Sequence, residues 1–381
     1  MLSLLRDLYI WAPLGIPAFI FVITLVVFFH ELGHFLVARA CGVAIETFSI
    51  GFGGELFGWT DRKGTRWKIC WLPLGGYVKF LGDENAASVP DRARLERLNT
   101  TEQRNAFPLK PLWQRMLVVL AGPVANFVLA FLLFVILLTG FGAKALSTYI
   151  GGVQKGSPAA MAGIKAGDKI TAVQGHPVRM FYGEMQELIH ARMGKPTAIT
   201  LERDGRPMTV HLTPSWIDNT DIFGTHLKTP GIGVEHGPDA GDNIVIIPVP
   251  IQRAPLIAAA QCWDIVANSL TYLWRIVSHR ADASGLGGPI GMAQMAKSAA
   301  SHGFYDLIYL VAFISVSIGM INLFPIPLLD GGHLLYYACE GVLGRPLDER
   351  TQDVGFRVGL ALVLGLMIFA SWNDIVRNLV R

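Results

Sequence analysis

The sequence predicts a helical membrane protein of four spans that carries a membrane-associated β-hairpin and an inserted α+β domain. Three observations predict it. The 381 residues are 52% hydrophobic and only 16% charged, with a mean hydropathy of +0.42, too apolar for an ordinary soluble domain and too long for a single one. Four runs approach or exceed the roughly 20 apolar residues that a spanning helix needs. Between them lie stretches with the period and the turn residues of strands. A net charge of +3, with no run of like charges, argues against a nucleic-acid partner.

The first span runs from about residue 13 to 37. From Pro13 to Phe29 it holds no charge, and His30-Glu31-Leu32-Gly33-His34 follows without a break. Positions i and i+4 share a helix face, so His30 and His34 can reach one metal ion. Glu31 stands beside them, where a carboxylate can take a proton from water on that metal. The same pattern arises by chance in soluble helices, but polar groups abutting hydrocarbon are costly, and a functional reading is the default there. The apolar region is too long for a signal peptide, and no small-residue cleavage site precedes the histidines. It therefore reads as a retained span. Cys41, Cys70, Cys262 and Cys339 are scattered and form neither a zinc knuckle nor a disulfide framework.

The second span covers about residues 112 to 141. The loop before it holds eleven basic residues, from Arg39 to Lys110, whereas the N-terminus offers only Arg6. The positive-inside rule puts that loop in the cytoplasm and the N-terminus outside. Within the loop, 43–58 and 66–80 are rich in β-formers around the turn Asp61-Arg62-Lys63-Gly64, which predicts a β-hairpin over 43–80. Its glycines at 51, 53, 54, 75 and 76 allow close backbone approach, and its edge can accept an extended peptide by strand addition. Residues 83–106 read as a polar loop with some helix. Inside the second span, Gly122-Pro123-Val124-Ala125-Asn126 offers small residues for close helix contact and a costly amide, which hydrogen-bonds the surroundings of the metal site or, the favoured reading, a neighbouring helix.

Residues 146–216 form a separate domain in this reading. Ser157-Pro158-Ala159-Ala160-Met161-Ala162-Gly163-Ile164-Lys165-Ala166-Gly167-Asp168 gives a short helix and turn glycines. Residues 180–192 read as a second helix, and 198–203 and 208–212 as strands about the hairpin signal Asp204-Gly205. The pattern resembles a PDZ domain of the bacterial, circularly permuted kind, which implies binding of peptides or chain ends by strand addition. Residues 217–303 follow as an extracytoplasmic linker with an amphipathic helix at about 255–277, then the glycine-rich turn Gly285-Leu286-Gly287-Gly288-Pro289-Ile290-Gly291. Spans at about 305–324 and 354–372 complete the second half of the membrane core, 304–381.

A catalytic zinc needs three protein ligands and an open position. The candidates for the third follow the third span, in Asn322-Leu323-Phe324-Pro325-Ile326-Pro327-Leu328-Leu329-Asp330-Gly331-Gly332-His333. The prolines end the helix and the apolar run resumes, which makes a broken span with unwound backbone. Asp330 reads as a ligand or as a helix cap, and His333 as a rival ligand or a supporting residue. Asn322 can stabilise an oxyanion or hold a substrate backbone, or cap its helix.

Together, His30-Glu31-x-x-His34, Gly122-Pro123-x-x-Asn126, the PDZ-like insertion, Gly288-Pro289-Ile290-Gly291 and Asn322-x-x-Pro325-x-Pro327-x-Leu329-Asp330-Gly331 resemble the site-2 protease family, and most closely the bacterial regulator-of-sigma-E proteases. The resemblance covers nearly the whole chain. It implies zinc held by His30, His34 and Asp330, Glu31 as the base, Asn322 in the substrate site, and substrate contact by the glycine-rich hairpin at Gly51, Phe52 and Gly53. It further implies a multi-pass protein of the bacterial inner membrane whose PDZ domain is extracytoplasmic. The implied partners are single-span membrane proteins, such as anti-sigma factors and leftover signal peptides, and a peptide or chain end at the PDZ groove. One departure is that some members carry two tandem PDZ domains, whereas this chain shows one. Two rivals remain at this stage: a prenyl-protein-processing membrane zinc protease, whose third ligand is a distant glutamate, and a non-catalytic PDZ-bearing membrane adaptor.

Overall fold

The computed structural model describes residues 2–83, 92–220, 226–236, 244–280, 283 and 287–380. The chain divides into two compact units, Met1–Ile136 with Pro255–Thr271 and Ala283–Arg381 in one, and Leu137–Ala254 with Tyr272–Asp282 in the other.

The first unit is helical. Its helices are α1 (Leu2–Ala40), α2 (Leu112–Gly140, which runs on past the unit), α3 (Ala254–Val277, shared between the units), α4 (Pro289–His302), α5 (Phe304–Asn322), α6 (Asp330–Leu343) and α7 (Glu349–Val380). Four of them, over Pro13–Ala40, Leu112–Gly140, Phe304–Asn322 and Arg350–Val376, are long and apolar enough to cross a membrane. Pro325 and the unwound turn after it stop the third span at Asn322, short of the expected residue 324. α4 was not anticipated: Pro289 starts a 14-residue helix where the glycines suggested only a loop. Gly285 and Leu286 of that stretch lie outside the described residues. The small side chains of α4 let it pack closely, and Ala296 is buried with Val22 and Val26 of α1 and Val311 of α5.

The predicted hairpin forms as β1 (Ile45–Thr60) and β2 (Arg66–Phe80). Its turn is closed by Asp61, whose carboxylate accepts from the N–H groups of Lys63 and Thr65 and pairs with Arg39 at the end of α1. Burial pushes the Asp61 carboxyl up, but the Arg39 guanidinium and these donors outweigh it and hold it at about 2. Both strands fold over at their glycines. As a result Phe48 has two neighbours, Val78 on one side and Trp67 on the other. Phe48 is buried with Phe35 of α1, Val118 of α2 and Phe107 and stacks on Trp67 at 4.3 Å between ring centroids. Burying a phenyl side chain of this kind contributes about 2–3 kcal/mol. The stretch 84–91 is outside the described residues. The remainder of the polar loop forms two short helices, Arg92–Leu95 and Thr100–Asn105, the second closed by a reciprocal cap between Asn99 and Glu102.

The second unit holds the inserted domain. Its strands are β3 (Ala143–Leu146), β4 (Ile150–Val153), β5 (Lys169–Val173), β6 (His176–Pro177), β7 (Thr197–Arg203), β8 (Arg206–Leu212), β9 (Ser215–Thr220), β10 (His226–Gly231), β11 (Val234–His236) and β12 (Ile244–Ile247). The main sheet has the order β6-β5-β7-β8. Asp204 and Gly205 both take positive φ at the β7–β8 turn, as a two-residue hairpin demands.

Two expectations fail here. The folded domain does not end at residue 216. β11 pairs with β4, β12 pairs with β3, and Ile232 is buried with Ile150, Ile170, Ile199 and Leu201. A three-residue strand between glycines carries no period for sequence reasoning to detect. Nor is 180–192 one helix: Tyr182 and Gly183 leave helical geometry, and the regular α-helix is Gln186–His190.

Asp168 ties this domain together. Its buried carboxylate accepts from Arg203 through both oxygens at 2.7 Å and from the Lys165 N–H at 2.8 Å. Burial pushes the carboxyl up, but these donors outweigh it and hold it below the usual range. A depressed folded value means that the contribution is complete above the unfolded carboxylate value of about 3.9 and is lost as pH falls below it. Thermal unfolding of the wild type should therefore shift downward as pH falls below about 4. Asp168→Asn should start with a lower midpoint and show a weaker shift over the same range.

Candidate metal centre

His30 and His34 lie on one face of α1, a turn apart, as the helical repeat requires. Asp330 is the first residue of α6. Leu329 occupies the cap position and no side chain caps this helix, so the cap role weighed for Asp330 does not apply. Its carboxylate turns to the histidines instead, where the positive end of the α6 dipole also favours it. His30 Nε2 is 3.1 Å from Asp330 Oδ2, His34 Nε2 is 3.5 Å from Asp330 Oδ1, and the two Nε2 atoms are 3.3 Å apart. All three residues are buried or nearly so. A tetrahedral ion with bonds of about 2.0–2.1 Å spaces its donors about 3.3 Å apart. The two Nε2 atoms stand at that spacing and the Asp330 carboxylate faces them with one oxygen near each, so the three residues fit the donor set that would hold a zinc ion.

The tautomers agree with that geometry. His34 Nδ1 lies 2.8 Å from the carbonyl of Val118 on α2. A carbonyl only accepts, so Nδ1 carries the proton and the Nε2 lone pair faces the cluster. The Asn126 amide nitrogen is 3.3 Å from His30 Nδ1, while its Oδ1 is buried with no partner. Turning that amide by 180° pairs the oxygen with an Nδ1–H and leaves His30 Nε2 free to bind metal. The amide thus takes the less favoured of its two sequence readings, a hydrogen bond at the metal site, beside the structural task. Its backbone oxygen serves the structural one, accepting from Ser315 on α5 at 2.9 Å.

Small residues bring the helices this close. A Cβ on Gly33 would lie 2.3 Å from the Ala121 carbonyl, and one on Gly122 would lie 2.2 Å from His34 Nε2. Glu31 turns toward β2, where its side chain passes close to Gly76. His333 is not a member of the donor cluster; its ring lies edge-on to Tyr336. Asn322 ends α5 ahead of the proline turn. Gly51, Phe52 and Gly53 sit at the bend of the hairpin and not in the metal cluster. Gly51 and Gly53 have positive φ and press on Leu72 and Trp71, and Phe52 stacks on Tyr77. Sequence reasoning missed the Val118 carbonyl, since a backbone acceptor leaves no mark on residue identity, and it passed over Gly122 as a ligand-shaping residue. A test follows: Gly122→Ala should weaken metal affinity about tenfold or more by displacing His34, measured by chelator competition. Gly140→Ala, with nothing within 4 Å of the added Cβ, should leave the affinity unchanged.

Comparison with known proteins fits this centre. The Peptidase family M50 profile matches residues 18–366. A chain of Rhizobium meliloti (strain 1021) that carries a zinc-metalloprotease name is 42% identical over 360 residues, 94% of this chain and 96% of that one. One from Mesorhizobium japonicum with a similar name is 43% identical over 358 residues, 94% of this chain and 97% of that one. Metalloprotease MmpA of Caulobacter vibrioides is 40% identical over 385 residues, 94% of each chain. The crystal structure of the PDZ domain of an SdrC-like protein from Listeria monocytogenes matches 25% of this chain and 90% of its own, at 25% identity and a TM-score of 0.20. With the family match spanning most of its length and a three-donor centre in its helical core, the chain belongs to peptidase family M50 and is a zinc metalloprotease.

Proposed function

We propose that this membrane zinc metalloprotease hydrolyses peptide bonds within or beside the spanning segments of single-span proteins, with anti-sigma factors and remnant signal peptides as the substrate classes. The observation that carries the reading is the meeting of His30, His34 and Asp330 among helices apolar enough to span a bilayer, with Glu31 in the same turn of α1. His30, His34 and Asp330 hold the metal. When bound, zinc supplies Lewis acidity, which lowers the pKa of water toward neutrality and polarises a carbonyl.

Glu31 is the general base. It takes the proton of the attacking water and delivers it to the leaving nitrogen. Its side chain lies close to Gly76 of the hairpin, so the hairpin and the base are neighbours. A spanning substrate hides its carbonyls in its own helix ladder and must unwind before attack, which leaves backbone groups to be satisfied. Residues 76–80 pair with 45–50 on one side, which leaves their outer edge open to an added strand among the described strands, and the face of Gly76 lies close to Glu31. A substrate strand added along that edge would run past the base. The Asn322 side chain has no hydrogen-bond partner among the described residues, which leaves its amide to hold a substrate carbonyl. Gly51, Phe52 and Gly53 shape the bend, and the exposed Leu56, Phe57 and Trp71 nearby offer apolar contact to a membrane-embedded substrate.

The inserted domain takes a peptide or chain end by strand addition. β11 is paired with β4 on one edge only among the described strands. The basic residues of the loop before the second span support a reading in which that loop is cytoplasmic and the inserted domain faces the other side of a bacterial inner membrane.

Reconstitution with a single-span reporter tests the reading. Glu31→Gln should lower cleavage about 100-fold or more while still binding zinc. Asp330→Asn should lose both zinc and cleavage, and chelation of the wild type should abolish a rate that added zinc restores. Normal cleavage by both variants would contradict the proposal.

A further inference from the structure

Leu328 has φ +98, a conformation that residues with a side chain rarely adopt and that persists only where the surroundings enforce it. It sits two residues before Asp330. The turn that contains it has few backbone bonds of its own, the chief one closing a β-turn from the Leu329 N–H to the Ile326 carbonyl with Leu328 at the position that favours glycine. Pro325 and Pro327 have no N–H to donate, and its own backbone bonds include those from Ile326 to Phe324 and from Leu329 to Ile326.

Glycines on two other segments close in on the turn from outside. A Cβ on Gly331 would lie 2.2 Å from the Phe324 carbonyl oxygen, and one on Gly332 would lie 2.4 Å from that of Ile326. Both glycines belong to α6 itself. The third contact comes from the last spanning helix: a Cβ on Gly359 of α7 would lie 1.8 Å from the Pro327 oxygen. One turn earlier, a Cβ on Gly355 would lie 1.9 Å from the Tyr336 hydroxyl of α6. Both the turn and the helix that begins at Asp330 therefore rest directly on α7 backbone. The same helix carries Gly365, which has nothing within 4 Å, so the close approach is specific to the face at 355 and 359.

We propose that α7, through Gly359 against Pro327, locks the Leu328 turn and thereby sets where Asp330 meets His30 and His34. The last span contributes no donor to the metal and yet fixes the third one. Leu328 and Gly359 are positioning residues. This inference rests on Asp330 being a zinc ligand, and its test keeps the two apart.

The test is zinc affinity of the full-length protein in detergent, measured by competition with a chelator, alongside thermal unfolding of the metal-free protein and the visible spectrum of the cobalt-loaded protein. Leu328→Gly makes the positive φ easy and frees the turn. It should keep or raise the unfolding midpoint and yet weaken zinc binding about tenfold or more, the loss typical when support for a ligand is removed. Gly359→Ala should weaken zinc binding similarly and alter the tetrahedral cobalt spectrum, whereas Gly365→Ala should match the wild type in every measurement. Wild-type zinc affinity in Leu328→Gly, or equal losses in Gly359→Ala and Gly365→Ala, would overturn the lock. Wild-type affinity in Asp330→Asn would instead remove the ligand assignment, and the lock with it.

Discussion

Two imidazole nitrogens and a carboxylate share a space little more than 3 Å across inside an apolar helix core. An unpaired carboxylate in such surroundings is costly, and three lone-pair donors facing one another repel unless a cation lies between them. The rest of the helical unit can be understood as what makes that meeting tolerable. Three parts of the chain must come together: α1 brings the imidazoles, α2 fixes their outer nitrogens through Val118 and Asn126, and the turn before α6 brings the carboxylate.

Apolar burial cannot supply the closeness in a bilayer, because lipid is as apolar as the helix faces. Absent side chains supply it. Gly33 and Gly122 let α1 and α2 touch on either side of His34, and Gly319 lets α5 approach Pro123 and Asn126. Each of these contacts ends on a group that orients a ligand or lies beside one. Packing and metal geometry are thus one problem in this unit. Small-to-large changes at these positions act on chemistry before they act on the fold.

Much of this was legible in the sequence. Hydropathy alone marks the four spans, since nothing else in a chain produces such runs. His30, Glu31 and His34 are readable because a helical repeat turns spacing into geometry. Asp330 is readable because a carboxylate after two prolines at membrane depth needs a partner. The limits are equally physical. The Val118 carbonyl and the Leu328 backbone belong to conformation and not to residue identity. α4 is short and rich in alanine and glycine, so it carries neither a spanning signal nor a strong amphipathic one. β11 is too brief for a period, which is why the inserted domain was drawn too short. Met180 to Arg192 has helical composition, but Gly183 takes a positive φ and breaks the run. Asn322 is readable as a polar group ending a span, whereas the bend at Gly51, Phe52 and Gly53 was singled out through family resemblance, since its conformation leaves no chemical mark on those residues.

X-ray absorption at the zinc edge of the purified, zinc-loaded protein tests the central claim most directly. The account predicts one zinc per chain with two imidazole nitrogens and oxygen neighbours at about 2.0–2.2 Å. A sulfur neighbour at about 2.3 Å, or a zinc without imidazole, would contradict it.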